Sequence, residues 1–464
     1  MLLWIRVKKL IILLVLPFSA LAQQSMNVNL LYNWTDTTLV SSIAFGNAYN
    51  EIWGVAINGR EYAIIGTTMG THFFDVTDPV NSVQVDFVPG ALQGTSIIGR
   101  DYHDYRGYLY MVSSDGNSTL QIADLSYLPD SVSIVHESNS LIQNAHNIFI
   151  DTATAKLYAV DVAWYENFTT YQSDLRVLSL ADPINPTLVF DYDYPPMFHD
   201  LYVRNDTVIV NHVDSGLSIF DFSDTTNPQL IGSLTAYPDQ GINHAGWLNE
   251  DGTIYAFVDE THGMDVKVCD GSDLTNITVV SQINSGVDIN SIAHNLIIKG
   301  DYLYIAYFHD GLYIYDISNP ANPILKGYYD TYASPGHDSF RGAYGIYPLL
   351  PSGNVLVSDM QYGLFVLDVE DATIINDHTA VIDNVLIHPN PFLSKLTIEM
   401  HGNSGDKGSS IFFLYDLLGR ELHRVEQIEN IETDVQLGHL PSGLYIYAIT
   451  SEKRILSRGK IVKE

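Results

Sequence analysis

The 464-residue chain contains a single cysteine, Cys269. An intramolecular disulfide is therefore excluded, and so is a metal site built from several thiolates. Basic residues are also scarce, because 22 Lys and Arg stand against 54 Asp and Glu and give a formal charge of −32. Phosphate backbones bind basic surfaces, so this imbalance argues against nucleic acid as a partner. Hydrophobic residues at 46% and 30 tyrosines supply enough apolar surface for a large folded core.

Long hydrophobic runs are missing as well, so we expect no transmembrane segment in the mature chain. The one clear apolar run follows basic Arg6, Lys8 and Lys9 and covers 10–16, which is short of the ~20 residues that span a bilayer. A membrane anchor is thus the weaker interpretation. A small-x-small cleavage site at 20–22 completes the pattern of a secretory signal peptide over 1–22. We expect a mature chain that begins at Gln23.

Charge divides the remaining sequence into two parts. Residues 23–379 hold 10 basic and 43 acidic residues, whereas 380–464 hold 9 and 11. Pro389 and Pro391 follow this change of composition, and proline is excluded from central strands. We therefore predict a large acidic domain over 23–375, a linker over 376–385 and a small domain over 386–464.

A repeat of roughly 40 to 50 residues runs through the acidic domain. Its most regular element is an apolar-Asp-apolar unit, often followed by Ser or Thr and by an Asn-Pro loop. Seven copies are present, centred on Asp75, Asp124, Asp182, Asp221, Asp270, Asp316 and Asp368. The aspartate is best explained as a turn residue whose side chain bonds nearby backbone.

Glycine precedes several of these units, at Gly216, Gly311 and Gly363, where it supplies the positive φ of a hairpin turn. A β-rich run comes before each glycine, and another short strand, often opened by histidine, comes before that run. Four antiparallel strands per repeat, without helical periodicity, predict an all-β fold in which each repeat forms one blade of a seven-bladed β-propeller. The seventh unit lacks a fourth strand, so we predict that 27–34 closes the ring as the outer strand of the last blade.

The repeated Asp-apolar-Ser-x-Pro and His-Asn/Asp elements resemble the LVIvD repeats of secreted bacterial proteins, the choice-of-anchor B family. The resemblance covers roughly residues 27–370. It implies a propeller body that is combined with different C-terminal attachment devices, and it implies no agreed activity.

The small domain shows alternating apolar and polar positions with glycine-containing turns, which indicates an antiparallel β-sandwich. Its motifs resemble the C-terminal sorting domain of type IX secretion in Bacteroidetes, and an ordinary binding sandwich is the alternative. The resemblance implies export across the outer membrane by the type IX machinery, with the body released or attached to surface lipopolysaccharide. The residues that carry it are Pro389, Asn390, Pro391, Gly419, Gly443, Lys460 and Lys463.

Histidines and carboxylates recur at fixed places in the repeats. Five histidines open first strands, with Trp53 and Tyr344 in the matching places of units one and seven; these histidines are His103, His146, His199, His244 and His294. Because the start of one strand and the end of the next lie at the same end of a hairpin, residues that end second strands join them at one mouth of the channel. From this second group, Asp259 and His309 are candidate metal ligands, and His212, Asp214, His262, Asp310 and Asp359 are candidate ligand-binding residues.

Three interpretations of these residues remain open. The histidines can bridge backbone groups of neighbouring blades, hold a divalent metal such as zinc or calcium, or act as acids and bases. We therefore expect a secreted or cell-surface propeller that binds a ligand or partner through one face. The alternatives are an extracellular metal-dependent hydrolase or lactonase and a purely architectural adhesion module.

Overall fold

The computed structural model describes residues 24–192, 197–334, 336–373, 385–400, 410–415, 420–428, 432–451 and 454–463. The chain divides into two compact units, Met1–Thr373 and Ile374–Glu464, and each is described by itself. The predicted signal peptide over 1–22, the processing point at Gln23, the linker positions 376–384 and the sorting residue Gly419 lie outside the described residues.

The first unit consists almost entirely of β-strands. In chain order these are β1 (Ser25–Met26), β2 (Asn29–Trp34), β3 (Tyr49–Ile57), β4 (Arg60–Thr67), β5 (Gly70–Asp75), β6 (Val83–Pro89), β7 (Arg100–Tyr105), β8 (Tyr108–Ser113), β9 (Leu120–Asp124), β10 (Ser133–Ser138), β11 (Asn147–Asp151), β12 (Lys156–Glu166), β13 (Thr169–Ser179), β14 (Thr187–Tyr192), β15 (Phe198–Arg204), β16 (Thr207–His212), β17 (Gly216–Asp221), β18 (Gln229–Leu234), β19 (Asn243–Leu248), β20 (Ile254–Asp259), β21 (Val266–Asp270), β22 (Thr278–Ile283), β23 (Ala293–Lys299), β24 (Tyr302–Tyr307), β25 (Gly311–Asp316), β26 (Ile324–Tyr329), β27 (Ala343–Tyr347), β28 (Val355–Asp359) and β29 (Gly363–Asp368). Short helices occupy Pro79–Asn81, Leu274–Asn276 and α1 (Glu370–Thr373).

These strands form seven antiparallel sheets within the described part of the unit. Six consist of four strands, as in β3-β4-β5-β6 and β15-β16-β17-β18, and β1 adds a fifth strand to β23-β24-β25-β26. The first strand of each complete repeat contacts the first strand of the next, and β27 contacts β3, so the first strands form a closed ring. The predicted order of strands within a repeat is confirmed, and the first strands are innermost, as the site prediction required.

The ring closes through the N-terminal segment, as predicted. Strand β2 pairs with β29 in a register that places Asn29 opposite Asp368 and Trp34 opposite Leu364. The closing strand begins at Asn29 rather than at Asn27, whose φ of 55° interrupts the extended backbone. The two residues of β1 turn to the preceding sheet, where Ser25 pairs with Tyr329. One N-terminal segment therefore contributes to two adjacent sheets.

The repeated aspartates act as turn residues, as predicted. The Oδ1 atom of Asp221 accepts a hydrogen bond from the backbone N–H of Ser223 at 2.8 Å, and Asp316 does the same with Ser318 at 3.0 Å. The preceding glycines also match the prediction, because Gly216, Gly311 and Gly363 have φ values of 76°, 86° and 82°. At Gly363 a β-carbon would lie 2.2 Å from the carbonyl oxygen of Trp34.

Apolar cores lie between neighbouring sheets. One core joins Tyr62 and Phe73 of the first repeat to Leu109 of the second, and all three side chains are at most 1% exposed. Equivalent clusters fill the other interfaces. Because each sheet buries both faces against its neighbours, the central strands are apolar along most of their length.

The second unit consists of two packed sheets. Its strands are β30 (Val385–His388), β31 (Lys395–Met400), β32 (Ser410–Tyr415), β33 (Glu421–Ile428), β34 (Glu432–Gln436), β35 (Gly443–Ser451) and β36 (Arg454–Lys463). One sheet has the order β30-β31-β34 and the other β33-β32-β35-β36. Phe392, Leu396, Phe412 and Ile461 are buried together in a shared core. The predicted sandwich is confirmed.

Candidate metal centre and channel

β-Bulges in the first strands determine the direction of the histidine side chains. The pairing of β15 with β16 passes from Phe198 to Asp200, and that of β23 with β24 passes from Ala293 to Asn295. His199 and His294 are the skipped residues. A β-bulge leaves the extra residue outside the ladder and redirects its side chain, so each repeat can turn one histidine towards its neighbours.

Four histidines from consecutive repeats form an arc, which we name the histidine cluster: His146, His199, His244 and His294. Ring centroids are 4.2 Å apart for His146 and His199, 4.5 Å for His199 and His244, and 4.4 Å for His244 and His294. Tyr344 of the seventh repeat continues the arc, with its ring 4.0 Å from that of His294. The prediction that Tyr344 occupies the matching place is therefore confirmed.

The histidine cluster contains two sets of potential metal ligands. One ligand atom from each of His146, His199 and His244 lies within 4.8 Å of the other two, and the same holds for His244, Glu260 and His294. Two ligands about 2.1 Å from one zinc ion are at most about 4.2 Å apart. The ligand atoms therefore lie somewhat further apart than in a zinc site, and the rings would have to move inward to bind the ion.

Hydrogen bonds orient part of this cluster. Nδ1 of His294 donates to the carbonyl oxygen of Tyr344 at 2.7 Å, which leaves Nε2 as the free ligand atom. Nε2 of His244 lies 3.8 Å from a carboxylate oxygen of Glu260. The rings of His199 and His244 contact the backbone of the next histidine, His244 and His294 respectively, but their buried Nδ1 atoms do not reach ordinary hydrogen-bond geometry.

Burial keeps the cluster uncharged. Desolvation lowers the pKa of His294 to about 3. Desolvation and the neighbouring imidazoles hold the pKa of His199 and His244 well below the usual value, and burial lowers that of His146. Burial also raises the pKa of Glu260 to about 7. Neutral imidazole is the form that binds metal, so protons compete little for these nitrogen atoms at neutral pH.

A second layer lies one residue further along the first strands, at a cavity of about 80 Å³ whose lining combines carboxylates and amides with aromatic side chains such as Trp53, Phe149 and Trp247. We name Glu51, Asp101 and Asp200 the acidic layer. Each bonds the backbone of the residue that follows it; Asp101 also accepts from the N–H of Ile148 at 2.6 Å. Asn295 donates to Glu51 at 3.1 Å.

The acidic layer carries strongly perturbed carboxyls. Burial, with Asp101 nearby, raises the pKa of Glu51 to about 8. Burial raises the pKa of Asp101 to about 7, and burial together with Asp101 raises that of Asp200 well above its usual value. The layer therefore holds protons at neutral pH in the absence of a bound cation.

His103 does not belong to the histidine cluster, which corrects the prediction. It is the fourth residue of β7, whereas His199, His244 and His294 are second in their strands, and Arg100 leads β7. Trp53 was predicted to occupy the place of the cluster histidines in the first repeat. Its ring instead lies beside that of His103, with centroids 4.8 Å apart, so this prediction is also wrong. At ~3.3 Å per residue, these side chains lie further along the channel, beyond the acidic layer.

Asp259 and His309 are not ligands in this arrangement either. Asp259 bonds the ammonium of Lys267 at 2.8 Å and the hydroxyl of Tyr237 at 2.8 Å, so a buried ion pair already uses its charge. His309 lies in the sixth repeat, where Nε2 bonds the carbonyl oxygen of Ser339 at 2.9 Å. Asp259 ends β20 and His309 lies in the turn after β24, but their side chains are directed to other partners.

The five predicted ligand-binding residues occupy separate places. His212 packs edge-on against Phe198, Asp214 is exposed in the turn after β16, and His262 bonds the carbonyl oxygen of Asn290. Asp359 is buried and accepts hydrogen bonds from two backbone N–H groups and a threonine hydroxyl. Asp310 bonds His337 at 2.6 Å and lines a different cavity. They do not form one binding surface with the cluster.

Sequence reasoning did not identify Glu260, Glu51 and Asp101 as parts of the site. Glu260 directly follows Asp259, at the end of the same second strand. Glu51 and Asp101 occupy the repeat position that Asp200 and Asn295 fill in later units. The signal for this layer was a polar residue at one fixed place in successive repeats.

The sorting residues lie at turns and near the end of the second unit. Asn390 Oδ1 accepts a hydrogen bond from the backbone N–H of Val462 at 2.9 Å, which ties the Pro389-Asn390-Pro391 segment to the last strand. Gly443 begins β35 with a φ of 158°, and Lys460 and Lys463 lie on β36.

Comparison with known proteins agrees with this architecture. Residues 199–236 and 291–331, which contain β15–β18 and β23–β26, match the LVIVD repeat. Solved structures with a similar chain path include the β-propeller domain of Cps50 (Swd1) from Myceliophteria thermophila, with 11% identity, a TM-score of 0.48, and coverage of 73% of this chain and 98% of that one. No curated protein sequence shows significant similarity to the chain. The closed ring of antiparallel sheets in the first unit is a β-propeller, and it contains LVIVD repeats.

Residues 386–464 match the secretion system C-terminal sorting domain. The chain is therefore a β-propeller protein that the type IX system directs to the cell surface or the extracellular space. None of the described helices has the length and apolar character needed to cross a bilayer.

Proposed function

We propose that this exported propeller is a binding module whose site is the histidine cluster, and that the cluster holds a divalent transition metal, with zinc as the best fit. The main support for this proposal is that His146, His199 and His244 converge, with ligand atoms that lie within 4.8 Å of one another. A zinc ion held in this way keeps a position open for a ligand from outside the protein.

The donor atoms favour zinc over calcium. Calcium takes six to eight oxygen ligands, whereas the histidine cluster offers imidazole nitrogens and one carboxylate, Glu260. Nitrogen donors from imidazole suit zinc, copper and nickel. Burial supports the same choice, because His244 and His294 are 3% and 4% exposed and neutral at physiological pH.

A structural role for the histidines is compatible with this proposal. His294 bridges two repeats through Nδ1 and Tyr344, and a hydrogen bond of this kind commonly fixes the ring of a metal-binding histidine. The rings of His199 and His244 contact the backbone of the next histidine, His244 and His294 respectively, although their Nδ1 atoms do not reach ordinary hydrogen-bond geometry. Bridging and metal binding therefore involve the same residues, and the converging ligand atoms are the observation that supports the metal.

The test is zinc binding by the full-length protein after dialysis against metal-free buffer, measured by calorimetry and elemental analysis. We expect about one tightly bound zinc per chain, at least tenfold weaker binding in His199→Ala, and unchanged binding in His262→Ala. His262 is the matched control because it is also a partly buried histidine near a strand end, with its ring bonded to Asn290. Absence of zinc binding, or equal binding by both variants, would contradict the proposal.

The second candidate function is a metal-dependent hydrolase, which Glu260 favours. Its carboxylate lies near the ligand atoms of His244 and His294; if His146, His199 and His244 held a zinc ion, the ion would supply an activated water and Glu260 would serve as the base. Glu260→Gln should then retain zinc on His146, His199 and His244 but lose hydrolysis of ester and lactone substrates. If the zinc-loaded wild-type protein hydrolyses no ester or lactone, the hydrolase hypothesis is wrong and the binding function stands.

A further inference from the structure

A second cavity lies in the sixth repeat, apart from the histidine cluster. It measures about 170 Å³, and roughly 10–15 Å³ of such space accommodates one water-sized group. It therefore has room for a short organic chain. We name it the tyrosine pocket, and its principal lining residues are Asp310, Tyr313, Tyr328, Asp330, Tyr332 and His337. It shares no lining residue with the histidine cluster.

Its walls are largely aromatic. Tyr313 on β25 and Tyr328 on β26 stack with centroids 5.4 Å apart and an angle of 15° between the rings. Tyr332 follows β26 and is 8% exposed. Burial and the nearby Asp310 raise the pKa of Tyr313, so this side chain stays neutral. The pocket thus combines flat apolar surfaces with uncharged phenol groups.

The polar end of the tyrosine pocket contains a carboxylate oxygen that the protein does not satisfy. Asp310 is only 4% exposed. Its Oδ1 accepts a hydrogen bond from Nε2 of His337 at 2.6 Å, whereas Oδ2 is buried and has no hydrogen-bond partner. A buried carboxylate oxygen without a donor is costly. A ligand that supplies the donor removes that cost.

The pocket favours a positive charge. Asp330 is a second carboxylate in its wall, and its Oδ1 bonds the backbone of Tyr332 at 2.8 Å. No lysine or arginine is among the described lining residues, and the two histidines there, His309 and His337, bond Ser339 and Asp310. Carboxylates and aromatic faces both attract cations.

We propose that the tyrosine pocket binds a primary alkylammonium group. The ammonium donates to Oδ2 of Asp310, and the alkyl chain lies against Tyr313 and Tyr328. Two sources supply this chemistry, a free short amine and the lysine side chain of a partner protein. The proposal depends only on the sixth repeat, so it stands or fails separately from zinc binding.

The experiment is calorimetric titration of the full-length protein in EDTA-containing buffer. The probes are n-butylammonium for a free amine, Nα-acetyl-lysine methylamide for a lysine side chain, and 1-butanol as the neutral analogue. We expect one saturable site for one or both cations and at least tenfold weaker binding of 1-butanol. Preference for the lysine derivative identifies a protein partner, and preference for butylammonium identifies a free amine.

Variants localise the binding. Asp310→Asn should weaken the cation at least tenfold, and Tyr328→Leu severalfold, whereas Asp224→Asn, an exposed carboxylate in a distant loop, should leave it unchanged. If Asp310→Asn fails to fold, Tyr328→Leu and the 1-butanol comparison decide. Equal binding of the alcohol, binding unaffected by Tyr328→Leu, or saturation by calcium without EDTA in place of the amines would overturn the proposal.

Discussion

Nδ1 of His294 donates a hydrogen bond to the carbonyl oxygen of Tyr344, 2.7 Å away in the next sheet of the ring. This contact joins the sixth and seventh repeats and leaves Nε2 as the nitrogen atom that is available to bind a metal. One nitrogen atom of His294 therefore bridges two repeats, and the other is available to bind a metal. At His199 the equivalent contact with the backbone of His244 does not reach ordinary hydrogen-bond geometry, so a comparison of His199 with His294 separates the two roles.

The first prediction compares these two histidines. His294→Ala should lower the free energy of unfolding by about 1–3 kcal/mol in metal-free buffer, because the buried carbonyl of Tyr344 loses its donor. His199→Ala should lower it less, while it weakens zinc binding. Urea unfolding of the apo proteins measures the difference. Equal destabilisation by both substitutions would show that His199 also has a mainly structural role.

The second prediction concerns ring closure by β2. Trp34 packs against His72 and Phe74, with ring centroids 4.8 Å apart in both cases. Trp34→Ala should cost about 2 kcal/mol, below the value for a fully buried tryptophan because the side chain is partly exposed. Leu30→Ala on the same strand removes a side chain that is 43% exposed and should cost under about 0.5 kcal/mol. Similar losses, seen by thermal unfolding, would mean that β2 does not close the core.

The third prediction uses two glycines with nearly the same backbone. Gly363 and Gly353 have φ values of 82° and 85°, but a β-carbon would lie 2.2 Å from the carbonyl oxygen of Trp34 only at Gly363. Gly353→Ala should cost roughly 1 kcal/mol for the left-handed backbone. Gly363→Ala should cost roughly 1–3 kcal/mol more, because the closing strand must move. Denaturant unfolding measures both, and equal costs would argue against the described closure.

The fourth prediction follows from Glu51. Its pKa of about 8 in the folded protein exceeds the value of about 4.3 expected when unfolded. Between these values the folded state keeps a proton that the unfolded state has lost, so its contribution to stability falls as pH rises. Glu51→Gln should make the slope of unfolding free energy against pH, between pH 5 and 7, less negative by about 1.4 kcal/mol per unit.

The measurement for Glu51 is denaturant unfolding in EDTA at several pH values. Glu137→Gln is the control, because Glu137 is an exposed carboxylate on β10 and its replacement should leave the slope unchanged. An unchanged slope in Glu51→Gln as well would show that the acidic layer is ionised, with a compensating charge in the channel.

The propeller fold could be predicted from the sequence because the pattern of four strands recurs in the same order in each repeat. Asp316 and Gly311 show why: each acts within a few residues of itself, through a side-chain bond to Ser318 or a left-handed φ. Closure by β2 was also predictable, because the seventh unit lacked a strand and an unattached strand was present at the other end of the body.

The histidine cluster was predictable only in part, because strand register decides which residue faces which neighbour. Bulges skip His199 and His294, whereas β7 pairs without a shift from Arg100 onwards. His103 therefore falls three residues further along the strand, although the sequence around it resembles the others. A displacement of this kind changes the layer to which a side chain belongs. Partners distant in sequence, such as Asn295 for Glu51, have no local pattern that predicts them.

The most direct test of the metal site is zinc K-edge X-ray absorption of the full-length protein loaded with one equivalent of zinc. We predict nitrogen ligands at about 2.0–2.1 Å with the outer-shell scattering of at least three imidazoles, and loss of one imidazole in His199→Ala. A coordination shell of oxygen atoms without imidazole, or a protein that takes up no zinc, would contradict it.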